Sequence, residues 1–375
     1  MSSAEVLPLP RDVIQKTKVE VVELLVENGI SRIPDMYVRP PQERQYLPTC
    51  TSQVQVPLID LSGLNSEGIE RENVLKQLGS ACEEWGFFQI VNHGIPVTLM
   101  ESMMGVAKDF FALSVEEKQA YAALPGIATQ GYGNKYAQRE NVTRDWRDYF
   151  YLLLQPHSIR DYAYWPTKPA TFREVMEEYS EETKKLAKRL LAAFSLNLGL
   201  PENYLEKALG EPHQNVLINF YPRCPQPELT AGFNTHSDIG AVTLLLQEPG
   251  STALHVRKGD AWIPVIAAPG ALLVNVADQV EILSNGRYKS VEHRVVVDKE
   301  KPRVSIPVFC DAAPQTLIKP APELIRSTET LNTDVEVGTN DTCKYESIIF
   351  KNHEIAFYTD GANGKKYVQA YIIQT

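Results

Sequence analysis

Between about residue 212 and residue 315 the chain is cut into seven short β-rich runs, and this texture restricts its fold more than any other feature. The runs are NVLINFY, AVTLLLQ, ALHVR, AWIPV, ALLVNVA, RVVVD and RVSIPVFC, separated by Gly, Pro, Asn and Asp. Closely spaced short strands of this kind close into a sandwich or a barrel. The preceding segments read as helices joined by strands. Val74, Leu78, Ala81 and Trp85 recur at helical spacing within 69–85, FFQIVNH (87–93) is a strand ending at a turn, and 96–122 is a helix with Pro at its start. Phe172, Val175, Tyr179, Leu186, Leu190 and Phe194 form one stripe, which predicts a long helix over 170–198. Residues 125–170 read as loop with short pieces of structure, and about 13–28 as an amphipathic helix. The chain therefore divides into a mainly helical region (1–210), a β core (211–320) and a C-terminal extension packed on the core (321–375).

Composition excludes several functions. Apolar residues make up 43% and charged residues 22%, as in an ordinary globular protein. The formal charge of −10 repels phosphate backbones and anionic lipid, so neither nucleic acid nor a membrane is an expected partner. Five cysteines, odd in number and without a CxxC pair, read as reduced thiols. The first residues lack the basic and apolar regions of a signal peptide, so a cytoplasmic location is expected. Asn141 and Asn340 match the glycosylation sequon and read as chance matches.

Within the β region, polar residues occupy places where a packed strand prefers apolar ones. His236 and Asp238 in THSD are two apart, so an extended backbone presents both on one face. His293 precedes a β-branched run. Two histidines and one carboxylate cover one face of an octahedral Fe(II) and leave three positions open. Arg303 lies ten residues beyond His293 and shares parity with Ser305, a guanidinium–hydroxyl pair suited to a carboxylate. Asn219 and Tyr221 in NFYP, also of one parity, add donors. An HxD pair alone arises often by chance; HxD, distal His and RxS in one strand-rich block do not. His93 reads as structural at its strand-to-helix turn. His157, His213, His255 and His353 have no partner pattern.

Taken together, these segments resemble the plant 2-oxoglutarate/iron(II)-dependent dioxygenases from about residue 18 to 325. ACEEWGFFQIVNHGIP (81–96), INFYPRCPQPELTAGFNTHSDIGAVTLLLQ (218–247) and KPRVSIPVFCD (301–311) carry the likeness. The resemblance implies an α+β fold whose double-stranded β-helix (jelly-roll) core is flanked by helices. It implies Fe(II) on His236, Asp238 and His293, 2-oxoglutarate on Arg303, Ser305, Tyr221 and Asn219, dioxygen as co-reactant and ascorbate as reductant. GISRIPDMYVRP, TQGYGNKY (129–136) and DWRDYFYLLLQP (145–156) resemble the flavonoid branch, including anthocyanidin synthase, flavonol synthase and flavone synthase I. That likeness implies a monomeric enzyme that hydroxylates or desaturates a flavanone or dihydroflavonol. Phe309 and Asp311 would contact the aromatic substrate and Tyr132 would be a lid contact. GANGKKYVQAYI (361–372) instead resembles a jasmonate-oxidase-like ending. The alternative is therefore a hormone oxidase acting on a jasmonate-type carboxylic acid, with Arg223 or Lys135 as the required second cation. A non-catalytic ligand-binding protein on the same fold is a third reading.

Overall fold

The computed structural model describes residues 21–44, 54–123, 130–133, 143–314 and 316–325, together with the backbone of 347–351 and 354–358. Cys50, Lys135, Asn141, Asn340, Cys343, His353, the start of the predicted 13–28 helix and the GANGKKYVQAYI ending lie outside the described residues.

Helices α1 (Val22–Glu27), α2 (Ile69–Glu84), α3 (Val97–Phe111), α4 (Val115–Gln119) and α5 (Phe172–Asn197) come before the β core, followed by α6 (Tyr204–Leu209). The single helix expected over 96–122 is two. Ser114 accepts from the Glu117 backbone N–H at 3.3 Å while the Glu117 carboxylate accepts from the Ser114 N–H at 3.3 Å, and this capping box starts a new helix. The stripe of α5 is the buried one: Phe172, Tyr179, Leu186, Leu190 and Phe194 are at most 1% exposed.

Strands β1 (Leu58–Asp60), β2 (Phe87–Val91), β3 (Gly131–Gly133) and β4 (Asp148–Gln155) come from the first half of the chain. The core adds β5 (His213–Tyr221), β6 (Phe233–His236), β7 (Val242–Gln247), β8 (Leu254–Lys258), β9 (Ala261–Pro264), β10 (Leu272–Val276), the short helix α7 (Asp278–Leu283), β11 (His293–Val295) and β12 (Arg303–Asp311). A large sheet runs β1-β2-β10-β7-β12-β5-β4-β3, and a smaller one β6-β11-β8-β9. β13 (Leu317–Ile318) pairs with the hairpin of β14 (Ser347–Lys351) and β15 (Glu354–Tyr358). The N-terminal half is thus woven into the core sheet. Its eight-residue strand β4 corrects the expectation of loop with only short pieces of structure over 125–170: almost every residue is buried, so the polar alternation that marks a half-exposed strand is missing.

Gly86 permits the crossing from α2 into β2. Its φ of +63° suits glycine, and a Cβ there would lie 2.0 Å from the Lys289 carbonyl oxygen.

The large sheet separates two environments by parity. Val216, Ile218, Leu244, Leu246, Val274, Val276, Val304, Ile306 and Val308 join the core shared with α3 and α5. Each such side chain contributes about 1.5–3 kcal/mol when fully buried. The odd positions of the same strands turn toward the smaller sheet and enclose a cavity with it. Pro307 does not disturb this. Ser305 pairs with Asn219 and Val308 with Val216, so the register against β5 is unchanged across the proline.

Candidate metal and cosubstrate site

His236 ends β6, Asp238 follows two residues later, and His293 opens β11, directly opposite His236 in the antiparallel pairing. The pairing closes the 55-residue gap between Asp238 and His293. Asp238 Oδ1 lies 3.7 Å from His236 Nε2 and 3.6 Å from His293 Nε2, and one ligand atom from each residue falls within 4.8 Å of the others. This is the one group of three or more potential metal ligands found among the described residues.

The surrounding hydrogen bonds aim these atoms. His236 Nδ1 lies 2.7 Å from the Asn234 carbonyl oxygen, and His293 Nδ1 3.2 Å from that of Val291. A carbonyl only accepts, so each Nδ1 carries the proton and each Nε2 presents its lone pair to the centre. Asp238 Oδ2 accepts from Thr243 Oγ1 at 2.5 Å and from Asn275 Nδ2 at 2.9 Å, which leaves Oδ1 for a metal. Burial, and then the neighbouring His293, hold His236 well below the usual imidazole range. Burial pushes the Asp238 carboxyl up, but the two imidazoles and the two donated hydrogen bonds outweigh it and keep it low. A neutral His236 imidazole beside an ionised Asp238 carboxylate suits a divalent cation.

The cosubstrate end is a cross-strand square. Arg303 pairs with Tyr221, and Ser305 with Asn219 on one side and Gln247 on the other. All except Gln247 line the cavity. Arg303 donates from Nη2 to Gln247 Oε1 (2.7 Å) and from Nε to Ser251 Oγ (3.2 Å), while its buried Nη1 has no protein acceptor. Its guanidinium carbon lies 5.2 Å from the Tyr221 ring centre. A buried cation with a spare donor at the polar end of the cavity fits the distal carboxylate of a diacid such as 2-oxoglutarate.

The candidate substrate residues separate. Phe309 lines the cavity with Pro307, Phe87, Phe233, Leu245 and Leu254. Asp311 does not line the cavity: its Oδ2 accepts from Asn215 Nδ2 at 2.8 Å, and its Oδ1 lies 2.0 Å from where a Cβ on Gly240 would be. Burial pushes its carboxyl up to about 7, with Asn215 opposing and Asp238 adding to the rise. The lid role expected for Tyr132 is corrected. The residue is fully buried in the helix-side core, where its hydroxyl donates to Glu23 Oε1 at 2.5 Å, because β3 pairs with β4 and so tucks this loop into the sheet. Arg223 is exposed and does not line the cavity.

Two family models match this chain: the non-haem dioxygenase in morphine synthesis N-terminal region over residues 56–168, and the 2OG-Fe(II) oxygenase superfamily over 212–312. Jasmonate-induced oxygenase 2 of Arabidopsis thaliana is 38% identical over 94% of this chain and 92% of its own length. This chain belongs to the 2OG-Fe(II) oxygenase superfamily. It is accordingly an Fe(II)- and 2-oxoglutarate-dependent oxygenase. Leucoanthocyanidin dioxygenase of Perilla frutescens is 36% identical over 82% of this chain and 88% of its own length. The crystal structure of JOX2 in complex with 2OG, Fe and JA superposes with a TM-score of 0.80 at 36% identity, covering 94% of this chain and 98% of that one. The sheet-rich core with flanking helices is the oxygenase fold. Among the described residues no helix is long and apolar enough to cross a membrane.

Sequence reasoning passed over Thr243, Asn275 and Arg147. The first two were legible in principle, being lone polar residues inside the apolar runs VTLLLQ and LLVNV. His93 sits at its turn as expected, with Nε2 3.2 Å from the Gly270 carbonyl oxygen and Nδ1 accepting from the Ile95 N–H. His255 lies across from Arg294 in the β8–β11 pairing, one position out of phase with His293, and so faces away from the cavity.

Proposed function

We propose that this oxygenase hydroxylates a small carboxylic acid of the jasmonate type, the hormone-oxidase reading that stood as the alternative. The supporting observation is the reach of the likeness. The likeness to jasmonate-induced oxygenases 1, 2 and 4 extends over 94% of the chain at 37–38% identity, and jasmonate-induced oxygenase 3 is 39% identical over 81% of it, against 36–37% identity over 82% for the leucoanthocyanidin dioxygenases. In this reading His236, Asp238 and His293 hold Fe(II). Arg303, aided by Ser305 and Tyr221, takes the distal carboxylate of 2-oxoglutarate, and Asn219 orients the same molecule. Bound iron supplies dioxygen activation, coupled to the decarboxylation of 2-oxoglutarate to succinate. The protein's own contribution is geometry. Thr243 and Asn275 hold Asp238, the two carbonyls hold the imidazoles, and Phe87, Phe233, Leu254 and Phe309 exclude water from the reacting face. Arg147, a buried cation, donates to the cavity-lining Asn219 without lining the cavity itself, so Arg303 is the one cation among the lining residues.

The flavonoid reading is second. Phe309 in the cavity and the leucoanthocyanidin dioxygenase likeness favour it. The test is succinate release with Fe(II), ascorbate and 2-oxoglutarate, with jasmonic acid, naringenin or a dihydroflavonol added. Jasmonic acid is expected to stimulate release and to gain one oxygen atom by mass spectrometry. Stimulation by a flavonoid and not by jasmonic acid would transfer the assignment to the second reading.

A further inference from the structure

Arg147 immediately precedes β4, is 3% exposed, and belongs to neither the metal triad nor the cavity lining. We propose that it is a positioning residue that sets, from one buried cation, both the ring plane of His236 and the amide orientation of Asn219. The inference rests on the reading of these two residues as metal ligand and cosubstrate contact.

Two observations carry it. The Arg147 guanidinium carbon lies 3.6 Å from the Phe233 ring centre, and the Phe233 and His236 ring centres are 3.9 Å apart with planes inclined by 29°. Both distances are too short for edge contact. Two planar groups stacked so closely on one ring must occupy its opposite faces. Guanidinium, phenyl and imidazole therefore form a three-layer stack with the ligand at one end. Separately, Arg147 Nη1 donates to Asn219 Oδ1 at 2.5 Å. A guanidinium offers no acceptor, so the amide oxygen must face it and the NH₂ group is turned away. One of those N–H bonds donates to the Leu217 carbonyl oxygen at 3.3 Å, and the other remains for the cavity that Asn219 lines.

Arg147 is itself held. Its Nε lies 3.9 Å from Asp145 Oδ2, and Asp145 Oδ1 accepts from the Asn234 backbone N–H (3.1 Å) and from Arg39 Nη2 (2.5 Å). Asn234 lies between Phe233 and His236 on β6. The Asp145–Arg147 pair thus grips this strand by backbone and by side chain, while Arg39 ties the assembly to the N-terminal segment.

The test uses full-length metal-free protein, with Co(II) affinity read from visible absorption and 2-oxoglutarate affinity read on the Co(II) form. Arg147→Gln is expected to weaken Co(II) about tenfold, as loss of a group that orients a ligand does, and also to weaken 2-oxoglutarate. Phe233→Leu should reproduce the metal defect alone, and Asn219→Ala the cosubstrate defect alone. Arg147→Lys keeps the charge but not the plane, and should still show an altered Co(II) spectrum. An Arg147→Gln protein that melts lower yet binds both ligands as wild type would overturn the proposal. If that variant does not fold, unchanged Co(II) spectra in Arg147→Lys and Phe233→Leu would do the same. His236→Ala is the control: wild-type Co(II) binding there would sink the metal reading itself, a separate outcome.

Discussion

Along β12, Val304, Ile306 and Val308 pack beneath the helices, while Arg303, Ser305, Pro307 and Phe309 line the cavity. The same division runs through β5, β7 and β10. One face of the large sheet is apolar and close-packed, and stabilises the fold. The other buries Thr243, Asn219, Asn275, Arg303 and Ser305, polar groups whose desolvation costs stability unless each finds a partner. The comparison teaches that stability and chemistry are carried by alternate residues of the same strands, so single substitutions should separate them.

The sharpest separation is expected from Asp238→Ala. Succinate formation should fall to background while the melting temperature changes little, because the apolar face of the sheet is left intact. A large loss of melting temperature with residual turnover would break the comparison. Leu244→Ala on the helix face should show the converse: about 3 kcal/mol of stability lost in denaturant titration, with turnover per folded molecule retained. Arg303→Met should raise the KM for 2-oxoglutarate about 30-fold, the equivalent of roughly 2 kcal/mol for a charge-assisted hydrogen bond. Its stability should change little, since the cation already bears a desolvation penalty.

Asp311 sharpens the comparison at the rim of the same strand. Its folded pKa of about 7 lies above the ordinary 3.8, so the folded state holds the proton more tightly than the unfolded one. Its contribution to stability is full below pH about 4 and is lost as pH rises through 7. The melting temperature of the metal-free protein should carry a component that falls across this window, and Asp311→Asn should flatten it. Equal slopes in the two proteins would sink this assignment.

The legible part of the site was the part written in local periodicity. HxD and RxS each fix two side chains to one face of an extended backbone, and the mixed β texture pointed to a closed two-sheet core. What escaped was set by pairing at a distance. β4 was missed because burial on both faces erases alternation. Tyr132 is not readable as a core residue because its loop becomes an edge strand only by pairing with β4, whose own strand character is hidden. Arg147 was unreadable for the same reason: its neighbours Asn219 and Phe233 sit 72 and 86 positions away in the chain.

The sequence by itself determined that His236 and Asp238 share one face of an extended backbone and that Arg303 and Ser305 share another, since a period of two is a local property of the strand. Only the tertiary structure decided which groups aim them. Thr243 and Asn275 on Asp238, and Arg147 behind Phe233 and Asn219, follow from strand order and register, and these depend on how the whole apolar face packs against the helices.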